Sequence, residues 1–381
     1  MRNLAIIGAS YLQLPLIETA KQMGLKTHVF AWRANDVGET AADVFYPISI
    51  TETEAILKTC REIGIDGICS IGSDLAMKAV NYVAEQMNLP ANSMRATAKS
   101  TDKHLMREAF AEHGDPSVRS LLVSSIEDLN LNALHFPVIV KPLDRSGSRG
   151  ITKLETADGL SAAIEHAKEQ GFVKQALVEE FAEGKEYSVE CLSIDGKHHL
   201  LGITEKFTTG APAFIETGHI EPACFSEEKQ EQIQSVVFHA LDSLELTSGA
   251  SHTELKVDED GNIRIIEIGG RMGGDFIGSD LVRITSGIDF VRAVICCALG
   301  ETPDLTPDIL ADAAAVRFVF DRTDIEAFQK LQREHPEYIV RYEIHDSEEE
   351  VHDSSDRHGY FLMMAEGRED LLPYMPRQEA E

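Results

Sequence analysis

Ser251-His-Thr-Glu254-Leu-Lys-Val-Asp-Glu-Asp260-Gly261-Asn-Ile-Arg-Ile-Ile-Glu267-Ile-Gly-Gly-Arg271 is the stretch on which the reading of this chain turns. Asp-Gly is a dipeptide favoured at the centre of a two-residue type I′ turn, so the flanking residues read as two antiparallel strands. With Asp260-Gly261 at that centre, Glu254 stands directly opposite Glu267. Cross-strand neighbours lie about 5 Å apart at Cβ, where two like charges repel. Two carboxylates held face to face therefore call for a cation. Mg²⁺ suits them, because it takes one or two carboxylates and completes its shell with substrate phosphates. For an arbitrary pair, a surface hairpin with solvated charges is the better reading. Here Ile263, Ile265, Ile266 and Ile268 make the second strand a buried one, and the metal reading wins. His252 has no second His or Cys at ligand spacing and reads as a hydrogen-bonded core residue, not a zinc ligand.

Arg271 opens the glycine-rich run Gly269-Gly-Arg-Met-Gly-Gly-Asp275. Glycines let backbone approach a ligand closely, and a guanidinium beside the metal acids stabilises charge that develops during phosphoryl or acyl transfer. The plainer alternative is a structural pair with Asp275 or Asp280. Upstream, Val138-Ile-Val-Lys141-Pro-Leu-Asp-Arg-Ser146-Gly147-Ser148-Arg-Gly150 is a strand closed by a lysine and followed by a Ser/Gly loop. Such a segment gathers an ammonium and several N–H groups around a polyphosphate, without the residue order of a P-loop. Between these lies Leu177-Val-Glu179-Glu180-Phe181-Ala182-Glu-Gly-Lys-Glu186. Its apolar strand breaks at Phe181-Ala182, which offers backbone groups to an adenine edge, and Glu186 is placed to take ribose hydroxyls. Read alone, it passes for an acidic strand.

The rest of the sequence bounds the class. A chain of 381 residues suggests two or three domains, and 43% apolar with 26% charged residues is a soluble globular composition. A net charge of −29 argues against nucleic acid or anionic membrane as partner. Six scattered cysteines without a CxxC pair fit a reducing compartment. With no signal-peptide or membrane-length apolar run, the expected location is cytoplasmic. At the start, apolar segments at 4–7, 27–31 and 67–71 alternate with helical patterns at 12–23 and 75–87, which predicts a parallel sheet covered by helices. Ligands bind at the carboxyl ends of such strands, so Ser10 and Asp74 belong to the ligand-facing edge. Phe136–Lys141 reads as a strand and about Leu160 to Gln170 as a helix; from Ala176 to about Phe207 strands dominate, with a second hairpin turn at Asp195-Gly196. The last seventy or so residues mix strand and helix.

Taken in order, these segments resemble the ATP-grasp superfamily over roughly residues 1–310. The resemblance implies an N-terminal parallel-sheet domain at 1–100 and a two-subdomain ATP-grasp fold at 101–312, with its lid at about 115–178. A small C-terminal α+β domain follows at 313–381. It implies ATP with two Mg²⁺ ions, Mn²⁺ being the substitute metal. Lys103, in Ser100-Thr-Asp-Lys103-His-Leu-Met-Arg107, matches the first phosphate lysine and Lys141 the second, with Ser146, Gly147 and Ser148 in the loop over the phosphates. Glu179, Glu180, Phe181 and Ala182 match the adenine hinge and Glu186 the ribose acid. Glu254 and Glu267 match the magnesium carboxylates, and Arg271 the arginine near the transferred phosphoryl group.

Many relatives carry Asn two residues after the second glutamate, where this chain has Gly269. The Glu-Ile-Gly-Gly-Arg form is similar to the branch of L-amino-acid ligases. It implies an ATP-dependent carboxylate–amine ligase that works through an acyl phosphate, with amino acids or other small molecules as substrates. A homodimer through the N-terminal domain also follows from the resemblance. The rivals are a bicarbonate-activating carboxylase and a catalytically silent nucleotide-binding protein. Lys206 and His219 lie between the ribose acid and the carboxylate hairpin. Lys206 is expected at phosphate, and His219 at substrate or as a proton acceptor near neutral pH.

Overall fold

The computed structural model describes residues 1–130, 134–143, 150–211, 214–345, 347 and 349–377. Ser146, Gly147 and Ser148 of the expected phosphate loop lie outside the described residues. Three sheets organise the rest. The first is parallel, with Asn3–Ile7 between Lys26–Ala31 and Gly67–Cys69, and Val44–Pro47 at the edge beyond Lys26–Ala31. Leu4 to Ile7 are fully buried, as expected of a strand covered on both faces. Helices Leu14–Gln22 and Asp74–Met87 start just past the carboxyl ends of their strands. Ser73 caps the second by accepting the Ala76 N–H at 3.3 Å, and that fixes Asp74 at the ligand-facing edge.

The second sheet is a smaller antiparallel one of Ser120–Val123, Ala176–Glu180, Val138–Pro142 and Thr152–Leu154, backed by helix Leu160–Gln170. The third has eight strands, in the order Ile263–Gly269, Gly249–Val257, Lys185–Ile194, Lys197–Thr208, Glu216–Glu221, Ala313–Phe318, Gly359–Ala365, Ile339–Ile344. The C-terminal strands thus extend the large sheet, because Ala313–Phe318 pairs directly with Glu216–Glu221. The boundary expected at 313 falls inside this one sheet, between Glu216–Glu221 and Ala313–Phe318. One strand pairing carries the C-terminal segment up to the same cavity as the rest.

Both sequence-read hairpins form, by different turns. Asp195 and Gly196 have φ of +51° and +78°, the left-handed pair that a two-residue turn demands. The other hairpin departs from its expected turn. Asp258 pairs with Asn262 around a three-residue loop, closed by Gly261 N–H donating to the Asp258 carbonyl at 2.9 Å. Gly261 takes the left-handed place at φ +82°. That shifts the register by one residue, and a β-bulge between Glu254 and Leu255 shifts it back. Glu254 therefore still faces Glu267. Polar groups freed at the bulge find partners, since the Ile265 N–H donates to Pro116 O at 2.8 Å and Ile266 O accepts from Arg107 at 2.6 Å.

Candidate active site

A cavity of about 400 Å³ lies between the small sheet, the large sheet and the edge of the parallel sheet. Every described candidate lines it: Lys103, Lys141, Glu179, Glu180, Phe181, Ala182, Glu186, Lys206, His219, Glu254, Glu267 and Arg271. Local sequence explains most placements. Asp102 caps helix Lys103–His113 by accepting the His104 and Leu105 N–H groups at 2.9 and 3.1 Å, which sets Lys103 on its first turn. Such a cap is worth about 1 kcal/mol. The Lys103 ammonium reaches Glu267 at 2.7 Å. Burial disfavours its charge, but Glu267 and Asp74 override burial and raise its pKa.

Glu254 is held in the same way, 2.7 Å from the Lys206 ammonium. Lys206 also meets Glu186 at 2.7 Å and Glu216 at 3.8 Å. It is buried, yet these three acids raise its pKa well above the ordinary value. Its placement joins the expected ribose acid to the expected metal acid. Each lysine bonds one oxygen, Oε1, of its glutamate, and Glu254 and Glu267 keep 27% and 26% of their side-chain surface open. Hard oxygens, facing register and partial exposure to a cavity suit Mg²⁺. Among the described residues no group of three or more His, Cys, Asp and Glu is arranged to hold a metal. The fit is therefore to an ion that shares its shell with phosphates, not to an all-protein cage.

Lys141 sits 2.5 Å from Glu179, whose carboxylate also lies 2.8 Å from the Arg107 guanidinium. Burial works against the Glu179 charge, but Arg107 and Lys141 bring its pKa down to about 2. Desolvation dominates at Lys141 and lowers its pKa. The side chain of Glu179 is thus engaged by two cations. Consecutive strand residues point to opposite faces, so Glu179 turns to the lysine while the Glu180 carboxylate accepts the His135 N–H at 3.0 Å. The Glu180 and Phe181 amides are also spent, on Arg119 O at 3.0 Å and Pro137 O at 2.9 Å. Glu180, Phe181 and Ala182 all stay on the cavity wall, beside an apolar slot of Val118, Ile139, Ile151 and Ile266.

Arg271 does not pair with Asp275 or Asp280. Its Nε and Nη2 make a two-pronged bond to Asp74 at 3.0 and 2.9 Å. Asp74 stays below the usual carboxylate range, because Arg271 outweighs burial. This pair also accounts for Gly269, where a Cβ would lie 2.5 Å from Asp74 Oδ1 and 3.1 Å from Arg271 Nε. Glycine stands where the resemblance leads one to expect Asn because a carboxylate from the N-terminal sheet occupies that space.

His252 is buried against Glu190, which holds the glycine loop by accepting the Gly273 N–H at 2.9 Å. Burial disfavours the imidazolium, but Glu190 wins and pushes the pKa to about 9. His219 is the opposite case. Burial first, then Lys206 and Arg357, bring its pKa down to about 3. The residue is a neutral wall group packed edge-on against Phe318, not a proton acceptor that titrates near neutrality.

Sequence reasoning missed Arg357, Glu216 and Asp275 as a unit. Arg357 bonds Asp275 at 2.7 Å and Glu216 at 3.1 Å and lies 3.8 Å over the Phe318 ring. Its partners lie far away along the chain, so no local motif signals the contact. Arg107 and Glu190, equally remote from their partners, were missed for the same reason.

Residues 134–280 match the ATP-grasp domain model. Alanine–anticapsin ligase of Bacillus subtilis (strain 168) is 26% identical over 342 residues, covering 80% of this chain and 71% of that protein. Carnosine synthase 1 of Homo sapiens is 25% identical over 338 residues, covering 80% of this chain and 40% of that protein. The crystal structure of L-amino acid ligase from Bacillus licheniformis shares the fold. It has a TM-score of 0.81 and 24% identity, covering 98% of this chain and 96% of that one. Residues 134–280 thus carry an ATP-grasp domain, and along most of its length the chain is similar to amino-acid ligases that carry one.

Proposed function

We propose that the chain joins a small carboxylate, an amino acid above all, to an amine through an acyl phosphate, releasing ADP and phosphate. The observation that carries this reading is the facing pair Glu254 and Glu267 in one cavity with Lys103, Lys141 and Arg271. Two Mg²⁺ ions bound by Glu254, Glu267 and the nucleotide phosphates would neutralise charge on the transferred group, Mn²⁺ serving as the substitute. Lys103 and Lys141 hold the phosphates, and Glu179 keeps Lys141 aimed at them. Ala182 and the apolar slot take the base, and Glu186 the ribose.

Arg271, fixed by Asp74, stabilises charge on the phosphoryl group while the substrate carboxylate attacks it. Lys206 balances the surrounding acids and keeps Glu254 in place. His219, neutral, offers a hydrogen bond at the substrate wall. Substrates of the amino-acid type are supported by the relatives, whose names describe ligases of alanine and of L-amino acids. All six cysteines are free thiols, which supports a reducing, cytoplasmic setting. A homodimer through the N-terminal domain completes the proposal.

The test is phosphate release from Mg-ATP by the purified protein, with and without pooled amino acids, reading the nucleotide product alongside. Pool-dependent ADP and phosphate with a new condensation mass is the expected result. Stimulation by bicarbonate alone would replace the ligase reading by a carboxylase. AMP with pyrophosphate would overturn the acyl-phosphate route.

A further inference from the structure

Resting on the ligase reading, we propose that a second cavity, adjoining the first at Asp275, binds the amine acceptor and selects an amine carried on an apolar or aromatic body. This cavity has a volume of about 220 Å³, room for about seven waters at ~30 Å³ each and so for a mid-sized side chain. It shares Leu12, Gly274 and Asp275 with the main cavity, and none of Lys103, Lys141, Glu254 or Glu267 lines it. In an acyl phosphate the leaving phosphate stays with those lysines and acids. The amine nitrogen therefore approaches the acyl carbon from the end that lacks them; its C–N bond forms as the C–O bond to phosphate breaks, and the proton it gives up leaves with the phosphate.

The lining matches such a ligand. Leu14, Pro15 and Met272 supply apolar surface, and Tyr11, Phe276 and Tyr360 supply rings. Phe276 packs 4.2 Å from Tyr360 and 6.4 Å from Tyr11, centroid to centroid. Arg341 lies 5.1 Å over the Phe276 ring and 2.9 Å from Asp280, so its charge is matched and it covers that ring.

Asp275 stands at the shared edge. Its Oδ2 takes Arg357 at 2.7 Å, whereas among the described residues the hydrogen bond to Oδ1 is a long one of 3.4 Å from the Tyr11 hydroxyl. An oxygen so weakly engaged has capacity for an ammonium donor. The backbone at this edge is unusual. Asp275 and Phe276 both have positive φ, +48° and +67°, and both Asp280 and Leu281 donate N–H to Phe276 O at 3.0 Å, opening a π turn over Ile277–Leu281. Strained non-glycine residues and π turns gather at functional sites. Here they aim one carboxylate and one ring at the junction of the two cavities.

Leu14→Trp and Tyr360→Ala alter this cavity at positions that do not line the main one. Two reactions are read on each variant. Hydroxamate formation from ATP, a carboxylate and hydroxylamine reports activation with a nucleophile too small to need the second cavity. Amide formation with L-leucine, L-phenylalanine or glycine reports acceptor binding. Hydroxamate formation should stay within about two-fold of wild type. KM for L-leucine and L-phenylalanine should rise about ten-fold or more in at least one variant, the size of effect expected when a hydrophobic pocket loses its fit, and glycine should change least. Unchanged acceptor KM in both variants overturns the proposal, as does a change confined to the carboxylate KM. Wild-type rejection of both apolar acceptors, with hydroxamate still formed, overturns the acceptor class. A wild type that makes no hydroxamate with any carboxylate overturns the ligase reading itself, and is told apart because no variant is needed to see it.

Discussion

The carboxylate hairpin Gly249–Gly269 and the glycine loop that follows it are continuous in sequence and line the same cavity, but they place their side chains by different physics. In the hairpin, alternation along each strand and hydrogen bonding between strands decide who faces whom. The three-residue loop and the bulge each move the register by one residue, in opposite senses, and Glu254 and Glu267 still meet. In the loop there is no such repeat. Asp275 and Phe276 adopt left-handed backbone, and their neighbours come from the N-terminal sheet and from the C-terminal segment. A periodic element tolerates local error in its turn, whereas a loop residue is placed by partners that its own sequence does not name.

The largest effect expected is on the hairpin. Glu254→Gln or Glu267→Gln keeps size but removes a charge, and turnover at saturating Mg²⁺ should fall about 10²–10³-fold, the scale seen when a group that stabilises transition-state charge is lost. Near-normal turnover in steady-state assays would mean that the facing pair is structural.

A smaller loss, about ten- to a hundred-fold in kcat, is expected where the hairpin meets the N-terminal sheet. Gly269→Asn puts a Cβ where Asp74 Oδ1 now lies, 2.5 Å away, and should displace Asp74 from Arg271. The double variant Asp74→Ala with Gly269→Asn should recover no activity relative to Gly269→Asn alone, because the aspartate itself, and not merely its volume, holds the arginine. Recovery in the double variant would show that space was the whole problem.

The smallest effects concern two buried groups on strand Glu216–Glu221. Burial holds His219 near pKa 3, against an ordinary 6.5. Below pH 6.5 the unfolded chain takes up a proton that the folded chain refuses, so stability falls as pH drops, by about 1.4 kcal/mol per unit from this group. Glu221 has the opposite sign. Burial raises it to about 7 despite bonds from the Thr204 and Thr285 hydroxyls. Its contribution is full below its ordinary pKa of 4.5 and is lost as pH rises through 7, with the same slope of about 1.4 kcal/mol per unit. Urea titrations across pH should show His219→Gln flattening the acid side and Glu221→Gln the neutral side. Equal pH dependence in variant and wild type would contradict the corresponding assignment.

The same contrast explains how much of the molecule was legible in the sequence. Apolar runs and turn dipeptides marked the parallel sheet, helix Leu160–Gln170 and both hairpins, because those signals are local. Lys141 and the facing glutamates were legible from strand endings and alternation. The two-pronged Arg271–Asp74 bond, the Lys141–Glu179–Arg107 cluster and the reach of Arg357 were not, since each joins segments distant along the chain. The extension of the large sheet by Ala313–Phe318 was hidden for the same reason. An edge strand states its hydrophobic pattern but not its neighbour.

The central claim is that a substrate carboxylate is phosphorylated before an amine displaces the phosphate. It is tested most directly with the carboxylate that stimulates phosphate release, labelled with ¹⁸O in both oxygens. Attack of that carboxylate on the γ-phosphate carries one labelled oxygen into the product, so mass spectrometry should find one ¹⁸O in each released phosphate. Amide formation with unlabelled phosphate would contradict the account.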